Sequence, residues 1–264
     1  MMSASGHAAP VDGPCPNCGT RVAGRFCSNC GQRAADMRPT LHDLLHEAFE
    51  EFSHVDGKFL RTLGLLLFRP GLLTLEFVEG KRARSVSPLR LYLLISVLFF
   101  GVLAMLPASK NLRVSVPATN EQLAQAAERM NRDPAILSHA LETAFPKAMF
   151  VLMPLFGFLV YAFYWRIERM FVPHFYFAVH FHAFAFAMFA LYESIGALHW
   201  GPLSFARIAL VLATLPYLTV ALRRVYGGGR LMTICKTVAI VVIDLIFVIL
   251  TMAAISYFTL RRFT

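Results

Sequence analysis

The sequence predicts an all-α polytopic membrane protein of about five transmembrane helices, preceded by a small N-terminal zinc ribbon. Three observations predict it. Hydrophobic residues make up 57% of the 264 positions and charged residues only 16%, above the roughly 45–50% apolar share of soluble domains. The apolar residues fall in long runs whose ends carry clusters of Lys and Arg. Four of the five Cys sit between residues 15 and 30 as two Cys-x-x-Cys pairs, while Cys235 lies far away. With 24 Phe and so few charges, too little polar surface remains to solvate a compact soluble particle. The net charge of +9 sits beside the apolar runs, as the positive-inside rule requires, and is not laid out as a stripe. No nucleic-acid partner is therefore expected.

Residues 1–14 (MMSASGHAAPVDGP) are small and polar, without the charged start and apolar core of a signal peptide. They read as a disordered leader, and the N-terminus is expected to be cytoplasmic. The ribbon, 15–33, begins CPNCGTRVAGRFCSNCG. Cys15 and Cys18 form one knuckle and Cys27 and Cys30 a second, and the Gly after each (Gly19, Gly31) permits a tight turn. The segment between, with Gly24 and Phe26, is long enough for a β-hairpin. Paired Cys-x-x-Cys units in a reducing compartment read as metal ligands rather than disulfides, and four tetrahedral thiolates are the usual structural zinc site. The same geometry also suits iron. A closed four-sulfur site has no open position for catalysis. So short a unit takes most of its folding energy from the metal, which leaves recognition or stabilisation as its role.

Residues 39–87 read as amphipathic, interfacial cytoplasmic helices. Leu41, Leu44, Leu45, Ala48, Phe49 and Phe52 recur at helical spacing after Thr40, a plausible N-cap. His42 and His46 on that helix read as solvent-facing, with metal binding as the sharper alternative. The stretch FLRTLGLLLFRPGLLTLEFVEG (59–80) is interrupted at Arg61 and at Arg69-Pro70-Gly71. Its pieces are too short for a bilayer core needing roughly 20 residues, so two interfacial helices joined at Pro70-Gly71 are expected. Lys81, Arg82, Arg84 and Arg90 then form the densest basic cluster, predicting a cytoplasmic location and contact with anionic lipid headgroups or a partner.

Five spans come next, at about 88–106, 148–165, 175–198, 203–222 and 234–258, within a bundle of 88–264. Segment 107–147 is expected outside, with a short helix at Glu121–Met130 and a break at Pro134. With the N-terminus inside, the loop carrying Arg166 and Arg169 and the loop carrying Arg223, Arg224, Arg230 and Lys236 are both cytoplasmic. Arg261 and Arg262 then fall outside, against the rule. Gly227-Gly228-Gly229 reads as a loop, because no Walker motif, nucleotide fingerprint or nucleophile elbow surrounds it.

The third span carries His180, His182 and Glu193, and the fifth carries Asp244. Polar groups at membrane depth are functional candidates by default, although they also serve as interhelical packing glue. On an ideal helix His182 and Glu193 share a face about 16 Å apart, whereas His180 and His182 point roughly 160° apart. One helix cannot turn both histidines to a single ion. A haem or second metal at His180 or His182, and a proton or ion path through His182 and Glu193, are the two chemical alternatives to structural hydrogen bonding, and Asp244 reads either as a structural pairing partner or as part of a transport path.

The stretches CPNCG…FCSNCGQ, PTLHDLLHE, VDGKFLRTLGLLLFRPGLL and EGKRARSVSPLRLYLLISVLFF, in that order, resemble a widespread bacterial family of uncharacterised inner-membrane proteins with an N-terminal four-cysteine zinc ribbon. The likeness is best from about Cys15 to Phe100, with a further match at HFHAF, which holds His180 and His182. It implies the ribbon, the membrane location and the basic segment before the first span, but no reaction. By analogy alone it marks Asp56, Lys58, Arg61, Arg69, Pro70, Gly80, Lys81, Arg82 and Pro88 as candidates. The leading expectation is a non-enzymatic inner-membrane protein whose ribbon and basic segment dock a partner or lipid, with the bundle as scaffold or small transporter. A membrane metallo- or haem enzyme and an ion or solute conduit are the alternatives.

Overall fold

The computed structural model describes residues 13–33, 57–105, 134–198 and 203–261, with 125, 127, 128, 131 and 132 between them. The helix expected before residue 57, with His42 and His46, lies outside the described residues, as does most of 107–133. A two-stranded antiparallel hairpin, β1 (Gly13–Pro14) and β2 (Arg21–Val22), opens the described chain. Seven helices come after it: α1 (Gly57–Phe68), α2 (Leu72–Val78), α3 (Pro88–Met105), α4 (Pro134–Tyr164), α5 (Phe171–Ala197), α6 (Leu203–Tyr226) and α7 (Arg230–Arg261).

Among the described residues four helical segments are long and apolar enough to cross a membrane: Thr143–Tyr164, Phe171–Ala197, Ser204–Tyr226 and Arg230–Arg261. The first expected span, α3, is apolar but shorter. Its 18 described residues rise about 27 Å at 1.5 Å each, close to a hydrocarbon core of about 30 Å. The polytopic helical class stands, with four long apolar helices among the described residues and α3 described up to Met105 beside them.

Helix α5 is the hub, packing against α1, α2, α3, α4 and α6, while α7 packs on α4 and α6. It is apolar around its whole circumference, as a helix enclosed by others must be. Aromatic rings fill its contacts. Phe186 lies between Tyr92 and Phe99 of α3, with centroids at 5.6 and 5.1 Å. Phe181 stacks on Phe156 of α4 at 5.2 Å, and Phe184 on Tyr217 of α6.

Helices α1 and α2 form a bent pair at the Arg69–Gly71 corner. Gly71 has φ 75°, and a Cβ there would stand 2.8 Å from the Ala221 carbonyl oxygen of α6. Only glycine permits both the left-handed backbone and this approach. The Tyr217 hydroxyl donates to Leu66 O and Arg224 to Pro70 O at 2.6 Å. Leu66 O is one of the carbonyls that the end of α1 leaves without a helical partner.

One end of the bundle gathers the loops between α4 and α5 and between α6 and α7. Tyr164 stacks on Tyr226 at 4.4 Å, Tyr226 donates to His174 Nδ1 at 2.8 Å, and Lys236 Nζ donates to Phe163 O at 2.9 Å. The α1–α2 pair and the hairpin domain lie at this same end.

Several expectations are corrected. Gly13 and Pro14 pair with Val22 and Arg21, so the end of the expected leader belongs to the ribbon. Pro134 begins α4 rather than breaking structure, because its missing N–H is an orphan in the first turn anyway. Arg230 and Lys236 belong to α7, and Arg223 and Arg224 to the last turn of α6. The loop is therefore only Gly227–Gly229.

Candidate metal centre

The two knuckles are near copies twelve residues apart, CPNCGT and CSNCGQ. In each, the amide of the Gly donates to the carbonyl of the first Cys, Gly19 to Cys15 at 2.8 Å and Gly31 to Cys27 at 2.9 Å. The first Cys amide donates in turn to the residue after the Gly, Cys15 to Thr20 O and Cys27 to Gln32 O, both at 2.8 Å. Phe26 bridges Arg33 as Pro14 pairs with Arg21, completing the repeat. These closures turn Cys15, Cys18, Cys27 and Cys30 inward, and their four Sγ atoms lie within 4.8 Å of one another. Cys15 and Cys30 stand at 3.6 Å and Cys18 and Cys27 at 3.4 Å. A tetrahedral ion with sulfur ligands at about 2.3 Å needs sulfur separations of about 3.8 Å. The cluster fits a metal of the thiolate-binding class.

The surroundings prepare these sulfurs unequally. The Thr20 hydroxyl and then its amide hold the Cys18 thiol down at about 6. Asn17 and then the Gln32 amide lower Cys30. Burial pushes Cys15 up to about 11, so in a metal-free ribbon that sulfur keeps its proton at neutral pH. Binding of a cation there displaces the proton, as ligation of thiols generally does.

The ribbon is fastened to the segment leading into α3. The Gln32 amide Nε2 donates to Gly80 O at 2.7 Å, and its Oε1 accepts from the amides of Arg82 at 3.0 Å and Ala83 at 3.1 Å. Arg84 Nη2 donates to Asn17 O at 3.1 Å. On the receiving side, Gly80 closes α2 in a Schellman turn, with its amide on Phe77 O and the Lys81 amide on Glu76 O. Val86 N donates to Thr62 Oγ1 of α1 at 3.1 Å. Arg82 lies over the Phe77 ring at 5.0 Å, Lys81 pairs with Glu79 at 2.6 Å, Arg84 is exposed, and Arg90 is buried.

The intramembrane candidates do not converge. His180 Nδ1 hydrogen-bonds Thr74 of α2 at 3.0 Å. His182 turns the other way, its Nδ1 donating to Ala178 O at 2.9 Å and its ring edge-on to Phe156. Glu193 and Asp244 are half-buried and make no hydrogen bond or ion pair with another described residue. Among the described residues the cysteine cluster is the sole group of three or more His, Cys, Asp or Glu placed to share an ion.

Sequence reasoning misses several residues that matter. The first is Gln32, whose only signal is its place directly after the second knuckle. Thr74 gives none, being one polar residue in a short apolar helix. His174 stands six residues before His180 in the aromatic run of the third span, but its partners, Tyr226 and the Glu168 carbonyl at 3.0 Å, come from other elements.

These features define a class: a polytopic helical membrane protein carrying a four-cysteine metal-ligand cluster docked at one end of its bundle. Residues 56–100 match the model of a family described as a protein of unknown function, DUF3667. The match begins at Asp56, covers α1, α2 and the basic segment, and ends at Phe100 within α3. No curated protein and no solved structure matches the chain.

Proposed function

We propose that the protein is a non-enzymatic inner-membrane docking protein. Its zinc-loaded ribbon and the basic segment Lys81–Arg90 form one cytoplasmic surface for anionic lipid headgroups or a protein partner, and the bundle serves as its scaffold. The observation that carries this reading is the fastening of a closed four-sulfur site, through Gln32 and Arg84, to the most basic stretch of the chain. A closed site has no position for substrate, so its reach lies in what it holds in place. The cytoplasmic orientation is supported by Arg82, Arg84, Arg166, Arg169, Arg223, Arg224, Arg230 and Lys236, which belong to the end of the bundle that bears the ribbon.

Two measurements test it. Elemental analysis of the purified protein is expected to give one zinc per chain, unchanged in a His180→Ala/His182→Ala variant. A second metal lost in that variant would overturn the reading in favour of a membrane metalloenzyme. In nanodiscs of mixed lipid, native mass spectrometry is expected to find anionic lipid retained by the native protein and lost from a Lys81→Gln/Arg84→Gln variant. Equal retention of anionic and zwitterionic lipid would remove the lipid arm and leave a protein partner.

A further inference from the structure

We infer that metal binding in the ribbon controls whether the ribbon stays fastened to the basic segment Lys81–Arg84: the loaded ribbon is latched there by Gln32, and loss of the metal releases it. This rests on the proposed docking function, in which the ribbon holds a metal and the segment is the docking surface.

The two knuckles differ where the latch sits. Their sequences agree at the Cys, Asn and Gly positions and differ after the Gly, where the first has Thr20 and the second Gln32. Thr20 turns inward, donating to the Cys18 sulfur and accepting from Asn29 Nδ2 at 3.2 Å. Gln32 turns outward and meets three backbone groups of residues 80–83 with both ends of its amide. The fourth link, Arg84 to Asn17 O, also ends between two cysteines of one knuckle. Every group on the ribbon side of the contact is thus within two residues of a metal ligand.

The two sides of the contact are built differently. The receiving segment is held by the Schellman turn at Gly80 and by Thr62, which is fully buried in the bundle. It keeps its shape whatever the ribbon does. The apolar core of the ribbon is Cys15, Val22 and Cys27, with Cys18 and Cys30 packed on them, and Asn17 is buried beside it. Apart from Val22 its core consists of the ligands themselves, so without metal nothing holds Gln32 Cα in register with Gly80. Coupling of this kind is reciprocal: if metal favours docking, docking favours metal by the same factor.

Residue-resolved hydrogen exchange on the full chain in nanodiscs tests the inference. Ala83 is the reporter, because its amide bonds Gln32 Oε1, whereas the Arg82 amide also reaches Gly80 O at 3.1 Å. Chelation is expected to speed Ala83 exchange at least about tenfold, the loss of a well-protected hydrogen bond to local opening. Gln32→Ala, which keeps all four cysteines, is expected to give the same rise with zinc bound and no further rise on chelation, together with weaker zinc affinity. Gln32→Glu, which retains the acceptor but loses the donor to Gly80 O, falls between. Ala83 protection unchanged by chelation or by Gln32→Ala, in protein shown to bind zinc, overturns the latch alone. Protein that neither contains nor takes up metal overturns the latch and the proposed function together.

Discussion

The ribbon and helix α5 each carry a buried centre, and the two centres are held by opposite means. Helix α5 is enclosed by five neighbouring helices, its Phe177, Ala178, Val179 and Ala183 almost wholly buried. Each contact there is one of many and depends on shape. The ribbon encloses one aliphatic side chain and four sulfurs, so its folded state depends on the chemistry of a single ion. Damage to the first region should therefore be graded, and damage to the second all-or-none.

The largest expected effect breaks this comparison cleanly. Cys27→Ser removes one of four ligands, and structural zinc sites supply on the order of 10 kcal/mol of folding free energy. Amide protection throughout 13–33 is expected to vanish while the helical circular dichroism of the bundle is unchanged. A bundle that melted with the ribbon would show that the two are one cooperative unit.

Next in size is a packing change. Gly71→Ala forces a left-handed alanine against the Ala221 carbonyl and is expected to cost roughly 2–4 kcal/mol of bundle stability. Thermal unfolding in detergent would detect it, with zinc content unaltered.

A polar contact within the bundle should matter less. Thr74→Val leaves His180 Nδ1 without its partner from α2, at a cost of about 0.6 and at most about 1.7 kcal/mol, the range of interhelical hydrogen bonds in membranes. Denaturant titration against the native protein measures it.

The smallest effect sharpens the picture of the ribbon. Thr20 lowers the Cys18 thiol from its ordinary 9.0 to about 6. The stability this contributes is fully present above about 9 and is lost as pH falls through about 6. Thr20→Val raises that thiol again, so zinc release on acidification should begin at higher pH, by less than about one unit. A chromogenic chelator tracks the release.

The legibility of these features in the sequence depends on how local their causes are. The cysteine cluster is readable because both knuckles are short repeats whose ligands lie three residues apart. The apolar helices are readable from run length, and the bend at Pro70-Gly71 from its own residues. The unreadable features depend on partners far away in the chain. Gln32 acquires meaning only beside Gly80, Thr74 beside His180, and His174 beside Tyr226, and no spacing rule connects such pairs. Pro134 misleads because the same missing N–H that breaks a helix interior is harmless at its first residue.

The placement of these partners also sets an order of events as the chain leaves the ribosome. All four sulfur ligands lie within residues 15–30, so the ribbon can capture its ion before any apolar helix has been synthesised. The groups that receive Gln32 emerge some fifty residues later, and the nascent chain carries a finished ribbon to meet them. Helix α5 has the opposite experience. It is made while Tyr217 and Tyr226, which stack on Phe184 and close over His174, are still unsynthesised. Its His174 is made 52 residues of elongation ahead of the hydroxyl that bonds it. The contacts of α5 are thus completed only after α6 has been made.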